Sequence, residues 1–136
     1  MPGNSDPFID TNVLIYVLDS DPAKAARSRE VLQAGGVISV QTLNEITNVM
    51  RRKLSSSWPE VREFLELLKV FCEVADVTHA DHQVGLEISE RYGLQVFDSM
   101  LLATASRVGC TMMLSEGMQH DQLIGSLRIK NPYLGK

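Results

Sequence analysis

Three acidic residues stand at positions where a folded chain can gather them. Asp10 directly follows a short apolar run, Glu45 lies a few residues after the apolar segment 37–40, and Asp98 begins a second long apolar stretch. A partly buried acid must be paired or bound to a cation, because an isolated buried charge is costly. Carboxylate oxygens are the ligands that Mg²⁺ and Mn²⁺ prefer, and a few of them leave room for phosphate oxygens. These acids are therefore candidate metal ligands and catalytic residues.

Ordinary structural roles also fit two of the three acids. Thr42 and Glu45 have the spacing of a capping box, which would satisfy backbone donors at a helix start. Asp98 fits an N-cap or first-turn acid, where it would meet the positive end of a helix. Asp10 is harder to explain in this way, since it lies between two apolar segments.

Short apolar strands alternate with helices along the chain. Strands are predicted at residues 8–10, 37–40, 73–77 and 110–114, and helices at residues 13–18, 23–34, 42–54, 58–71, 81–92 and 98–108. This alternation indicates a parallel sheet covered by helices on both faces. Functional groups collect at the carboxyl ends of strands in such sheets. Asp10 and the pair Ser115-Glu116 are thus expected to face one crevice.

Composition limits the class of protein. A chain of 136 residues, 44% hydrophobic and 22% charged, predicts one soluble globular domain over residues 1–136. Its apolar runs fall well short of the roughly 20 residues that cross a bilayer. The first residues lack the basic and apolar parts of a signal peptide, so a cytoplasmic location is expected. Cys72 and Cys110 lack metal-site spacing and are expected to be buried thiols.

The net charge of −4 argues mildly against a broad nucleic-acid-binding surface. The objection weakens if several of the acids are gathered around bound cations, because the remaining charges are then nearly balanced. Basic residues occur locally, for example at 51–53, and each also fits a solvated helix face.

Three segments, in order and with their apolar flanks, resemble the successive motifs of PIN domains. They are FIDTNVL at residues 8–14, NE at residues 44–45 and FDSMLLATA at residues 97–105. A fourth segment, LSEGMQH at residues 114–120, resembles a variant found in bacterial PIN toxins. The chain is therefore similar to the VapC-type toxin ribonucleases of bacterial toxin–antitoxin pairs.

The resemblance implies a three-layer α/β/α sandwich with a central parallel sheet and a Mg²⁺ or Mn²⁺ site. It further implies endonuclease action on RNA, a homodimer and a small antitoxin partner that blocks the site. Asp10 and Asp98 would be the primary metal ligands, and Glu45 would be a ligand or would orient the attacking water. Thr11 or Asn12 would position an acid or a substrate phosphate.

One departure from the family pattern concerns a fourth carboxylate. The residue after Ser115-Glu116 is usually an aspartate in the related segment, and here it is Gly117. Glu116 is the nearest replacement as a metal ligand, and Asp121 is the other one, through a shifted backbone or a bridging water. If neither reaches the site, a second metal ion would lose a ligand.

Two other functions compete with the ribonuclease. A catalytically weakened PIN fold would bind RNA or an antitoxin without efficient cleavage, as the departure at Gly117 suggests. A phosphotransferase or phosphatase would use Asp10 as a nucleophile. That reaction is disfavoured, because such sites usually carry a second acid where this chain has Asn12.

Overall fold

The computed structural model describes residues 6–135. Residues 1–5, which belong to the segment expected to lack a signal peptide, lie outside the described residues. The helices are α1 Thr11–Ile15, α2 Pro22–Ala34, α3 Val40–Arg52, α4 Trp58–Phe71, α5 His79–Tyr92 and α6 Val96–Arg107. A short 3-10 helix, Tyr16–Leu18, extends α1. The strands are β1 Phe8–Ile9, β2 Gly36–Ser39, β3 Cys72–Ala75, β4 Met112–Leu114, β5 Leu123–Ile124 and β6 Leu127–Lys130.

The strands form one mostly parallel sheet of six strands in the order β3-β2-β1-β4-β6-β5. Every neighbouring pair is parallel except β5 and β6, which pair antiparallel at the edge. The predicted α/β fold with a central parallel sheet is confirmed, with this edge hairpin as an addition. Because β1 is central, the residue that follows it, Asp10, emerges in the middle of the carboxyl edge.

Helices cover both faces of the sheet. Neighbouring residues of each strand point to opposite faces, so each strand contributes to two cores. Ile9 and Ile38 belong to a core formed with α1 to α4. Phe8 and Val37 belong to a second core, which includes residues of α6 and β6. All four side chains are at most 2% exposed. The sheet is thus buried on both faces, as its continuous apolar strands predict.

Helix α3 begins two residues earlier than the sequence predicts. Ser39 is its N-cap, and Ser39 and Thr42 form the reciprocal hydrogen bonds of a capping box. The alternative in which Thr42 and Glu45 form that box is therefore wrong. Glu45 lies in the second turn of α3, and its carboxylate is not used to cap the helix.

Helices α5 and α6 are joined by a buried carboxylate. Asp81, 2% exposed, accepts hydrogen bonds from Arg107 and Thr104 of α6. Burial pushes the pKa of Asp81 up, but the hydrogen bonds from Arg107, the Thr78 backbone and Thr104 together hold it below its ordinary value. This network fixes the helix that carries Asp98. Within residues 6–135, no helix has the length and apolar character needed to span a membrane.

Candidate active site

Asp10 lies at the junction of β1 and α1. Its backbone N–H donates to the Leu114 carbonyl of β4 at 2.9 Å, which continues the sheet pairing one residue beyond β1. Its side chain caps α1 by accepting a 2.8 Å hydrogen bond from the Thr11 N–H. The residue is 7% exposed, and burial raises the pKa of its carboxyl, while hydrogen bonds from Ser115 and Thr11 oppose that rise. Two hydrogen bonds therefore fix the orientation of the Asp10 carboxylate, and little of the residue is exposed to water.

Ser115 supplies the second hydrogen bond to Asp10. Its hydroxyl donates to Oδ2 of Asp10 at 2.8 Å and accepts from the Met118 N–H at 3.3 Å. The residue follows β4 and is fully buried. The sequence placed Ser115 near the crevice but did not identify this contact. Ser115 therefore orients Asp10 and ties it to the loop that contains Gly117.

The side chain of Glu45, on α3, contacts Thr11, the residue that follows Asp10. The Thr11 hydroxyl donates a 2.6 Å hydrogen bond to Oε1 of Glu45. Thr11 itself is 7% exposed, so this contact is shielded from water. The second turn of α3 is thus joined to the first turn of α1.

Asp98 is in the first turn of α6, whose N-cap residue is Gln95. Burial raises the pKa of Asp98 to about 6, and the negative charges of Asp10 and Glu45 add to the rise. Burial is the largest cause of this rise, and repulsion by the two carboxylates is the smaller one. Asp98 therefore interacts electrostatically with both Asp10 and Glu45.

All three acids line one pocket of about 310 Å³. Its other lining residues are Thr11, Asn12, Asn48, Val49, Gln95 and Leu101. The structure thus brings together five of the six predicted site residues: Asp10, Thr11, Asn12, Glu45 and Asp98. Asn48 and Gln95 were not predicted, although Asn48 lies one turn after Glu45 on α3 and Gln95, the N-cap of α6, lies three residues before Asp98.

Glu116, by contrast, does not line this pocket. Its carboxylate pairs with the Lys24 ammonium at 2.8 Å and accepts a 2.8 Å hydrogen bond from the Tyr16 hydroxyl. The bond from Lys24, helped by that from Tyr16, lowers the pKa of Glu116 despite partial burial. A carboxylate engaged by an ammonium group is turned away from a metal site. The structure thus does not bring Glu116 to the other acids.

Asp121 is the other proposed replacement, and it also lies elsewhere. Its side chain pairs with Lys130, and the Lys130 hydrogen bond lowers the pKa of its carboxyl. Asp121 is not among the residues that line the pocket of Asp10. The expected fourth carboxylate is therefore missing from the lining of this pocket.

The donor set of the pocket fits a hard divalent cation. Three carboxylates and three amide side chains offer only oxygen ligands of the kind that Mg²⁺ and Mn²⁺ prefer. Within residues 6–135, no lysine or arginine forms an ion pair with Asp10, Glu45 or Asp98. A cation would therefore relieve the repulsion that raises the pKa of Asp98.

The ligands are not drawn together in advance, however. In the described part of the chain, no group of three or more His, Cys, Asp or Glu side chains is arranged to hold a metal ion. The pocket thus fits such an ion by charge and donor type, and its carboxylates would have to close around it.

The sequence of residues 8–123 matches the model of the PIN domain family. This match covers most of the chain, so the chain belongs to the PIN domain family. Comparison of the sequence with those of curated proteins gives no match.

Solved structures share the fold at low sequence identity. A toxin–antitoxin complex from Klebsiella pneumoniae matches with a TM-score of 0.72 and 16% identity, over 93% of this chain and 98% of that chain. DNA-bound VapBC from Salmonella typhimurium matches with a TM-score of 0.70 and 19% identity, over 95% and 99% of the two chains. VapC20 of Mycobacterium tuberculosis, a sarcin-ricin loop cleaving toxin, matches with a TM-score of 0.60 and 14% identity, over 78% and 85%. The fold is thus that of VapC-type PIN domains.

Proposed function

We propose that this protein is a metal-dependent endoribonuclease and the toxin component of a VapBC-like toxin–antitoxin pair. The observation that carries the proposal is the pocket that Asp10, Glu45 and Asp98 all line without a basic partner from the described residues. Asp10 follows the central strand β1, Asp98 lies in the first turn of α6 and Glu45 lies in the second turn of α3, at the edge where α/β folds bind ligands. Membership of the PIN domain family supports the same function.

Each residue of the pocket has a distinct task in this function. Asp10 and Asp98 are the proposed primary ligands of Mg²⁺ or Mn²⁺, and Glu45 is a third ligand or the acceptor that orients a water molecule. Thr11 holds Glu45, and Ser115 holds Asp10. Asn12 is exposed at the rim, where its amide can donate to a substrate phosphate. A bound divalent ion would lower the pKa of a bound water for attack on phosphorus and would neutralise developing charge.

The proposed partners follow from the same function. Because the substrate is RNA inside the cell, we place the protein in the cytoplasm. A small antitoxin would block the pocket, and an arginine from it could pair with the acids in two hydrogen bonds. The structural relatives include a toxin–antitoxin complex and DNA-bound VapBC, which supports an antitoxin partner. A homodimer is the expected state of the toxin.

Cleavage of a mixed pool of structured RNA tests the activity, with Mg²⁺, Mn²⁺ or EDTA in parallel. Asp10→Asn and Asp98→Asn should each reduce metal-dependent cleavage by roughly a hundredfold, because each removes a charged ligand. Glu90→Gln is the matched control, since Glu90 is an exposed acid of α5 outside the pocket. Cleavage that persists in EDTA, or in both aspartate variants, would contradict the proposal.

A weakened PIN fold that binds RNA or an antitoxin is the second candidate. Two observations favour it: Gly117 stands where related segments carry an acid, and the described acids do not form a ready metal site. Folded protein that binds RNA or a co-expressed antitoxin but cuts no RNA with either ion would select this candidate.

A further inference from the structure

One side of helix α3 extends from the acidic pocket to the end of the helix. Glu45, Asn48 and Val49 of α3 line the pocket. Arg52 follows Glu45 by seven residues, a rotation of about 700°, which places it within roughly 20° of Glu45 around the helix axis. The rise over the same seven residues is about 10 Å. Arg52 therefore stands on the pocket side of α3, two turns beyond Glu45.

The Arg52 side chain is available for a ligand. The residue is exposed, and within residues 6–135 its guanidinium has no hydrogen bond, ion pair or ring contact. Its neighbour Arg51 differs, because it donates to the Ser56 carbonyl and lies 4.4 Å from the ring centroid of Trp58. Arg51 thus fixes the connection between α3 and α4, whereas Arg52 is not used by the fold in this way.

A polyanion that enters the pocket needs a basic group nearby. The lining includes three acids and no lysine or arginine, so the pocket alone repels phosphates on either side of the one being cut. A guanidinium binds phosphate oxygens through two parallel hydrogen bonds and stays charged at any physiological pH. We propose that Arg52 binds a backbone phosphate of single-stranded RNA next to the scissile one, and so positions the strand across the pocket. This inference rests on the proposed ribonuclease function and names a positioning residue for it.

RNA binding tests the inference without requiring cleavage. The probe is a fluorescent pool of short single-stranded RNA of random sequence, measured by anisotropy in EDTA at several salt concentrations. Arg52→Gln should weaken binding roughly three- to tenfold and reduce the slope of log affinity against log salt by about 0.7, the value for one lost phosphate contact on a single strand. Arg52→Lys should keep most of that slope, because it keeps the charge.

Arg29→Gln is the matched control. Arg29 is exposed on α2, also lacks a partner among the described residues, and does not line the pocket. Its substitution should change affinity less than twofold. Equal affinities and slopes for the Arg52→Gln and Arg29→Gln proteins, or the absence of salt-dependent RNA binding by the natural protein, would overturn the inference.

The two proposals fail in different ways. RNA that binds through Arg52 but is never cut with Mg²⁺ or Mn²⁺ would reject the nuclease and keep the role of Arg52. If RNA is cut with metal and the Arg52→Gln protein binds RNA as well as the natural protein, the nuclease is kept and the role of Arg52 is rejected.

Discussion

The hydroxyl of Thr11 donates a 2.6 Å hydrogen bond to the carboxylate of Glu45. The bond joins the residue that begins α1 to the second turn of α3, across a separation of 34 positions in the chain. It fixes the direction of an acid that would otherwise rotate freely at the pocket wall. Thr11 is thus a positioning residue, and its role can be separated from that of the acids.

We expect Thr11→Val to lower metal-dependent RNA cleavage about tenfold, the lower end of what loss of a residue that orients a ligand costs. Valine keeps the shape of threonine and removes only the hydroxyl, so Glu45 loses its donor while the packing of α1 is retained. Initial cleavage rates over a series of Mn²⁺ concentrations measure the effect.

Thr47→Val is the control for Thr11→Val. Thr47 lies on the same helix as Glu45 and donates to the Leu43 carbonyl, away from the pocket. Equal losses of activity in the two variants would show that the effect comes from a general loosening of α3.

The helices were largely predictable from the sequence. Helix α2 begins at Pro22 and ends before Gly35, and α4 begins at Trp58 beside Pro59. Proline in the first turn and glycine after the last turn mark such boundaries locally. The start of α3 was missed, because Thr42 and Glu45 match the usual capping-box sequence, whereas the box in the structure is formed by Ser39 and Thr42. The edge strand β5 and its neighbour β6 were missed; β5 has only two residues, which is too few to show a period.

The site was predictable where it depends on position along strands and helices. Asp10 follows a strand, and Glu45 and Asp98 lie in the first two turns of helices; in α/β sheets, ligands bind outside the carboxyl ends of the strands. Glu116 was misplaced, because its partner Lys24 is 92 residues away along the chain. A pairing at such a separation depends on how α2 packs beside the end of β4, which local patterns do not encode.

Ser115→Ala should weaken both the fold and the metal site. The change removes the 2.8 Å bond to Asp10 and the acceptor for the Met118 N–H. We expect a loss of about 1 kcal/mol in the free energy of unfolding, the usual contribution of one intramolecular hydrogen bond. The pKa of Asp10 should rise further, because the bond from Ser115 opposes the effect of burial. Urea unfolding in EDTA and Mn²⁺ titration measure the two effects.

Ser28→Ala is the control for that change. Ser28 is also fully buried, and its hydroxyl is hydrogen-bonded to the Tyr133 hydroxyl at 2.7 Å, outside the pocket. It should lower stability without altering the affinity for Mn²⁺. A matched loss of metal affinity in both variants would argue against a specific role for Ser115.

The stability of the metal-free protein should depend on the ionisation of Asp98. The pKa of Asp98 is raised from 3.8 to about 6, so the folded state binds more protons than the unfolded state between these values. The contribution of this group to the free energy of unfolding therefore falls as pH rises from about 4 to about 6 and is constant above. The Asp98→Asn substitution removes the ionisable carboxyl and therefore this pH-dependent loss of stability.

We therefore expect the Asp98→Asn protein to gain stability relative to the natural protein as pH rises through this window in EDTA. The gain in the free energy of unfolding should be about 1 kcal/mol at neutral pH. This is less than the pKa shift alone would give, because solvent screens the charge of a half-buried group. Urea unfolding at a series of pH values measures it, with Glu90→Gln as the control. A difference between the Asp98→Asn and natural proteins that is independent of pH would contradict this account.

Added Mn²⁺ should reverse the order of stability at neutral pH. The ion binds only the folded state and so stabilises it by mass action, and it requires ionised ligands. The natural protein should gain more in melting temperature than the Asp98→Asn protein, and its gain should shrink as pH falls below 6. An equal gain in both proteins would place the ion elsewhere.

Gly117→Asp should restore the acid that this chain lacks. A Cβ atom at Gly117 would meet no heavy atom within 4 Å, and its φ is not in the left-handed region. The residue lies two positions after Ser115, so a carboxylate there would be on the loop whose serine hydroxyl contacts Asp10. We expect roughly tenfold tighter Mn²⁺ binding, the size of effect that ligand-supporting residues show, and faster RNA cleavage.

Gly117→Asn separates charge from backbone effects in this prediction. Both substitutions reduce the freedom of the unfolded chain equally, which stabilises a protein where the native backbone tolerates a side chain. Only the aspartate adds a charged ligand, so only it should tighten Mn²⁺ binding in calorimetric titration. Tighter binding and faster cleavage in the aspartate variant alone would identify the missing acid as the limit on activity. Equal behaviour of the two variants would show that residue 117 does not reach the ion, and the site would then work with Asp10, Glu45 and Asp98 alone.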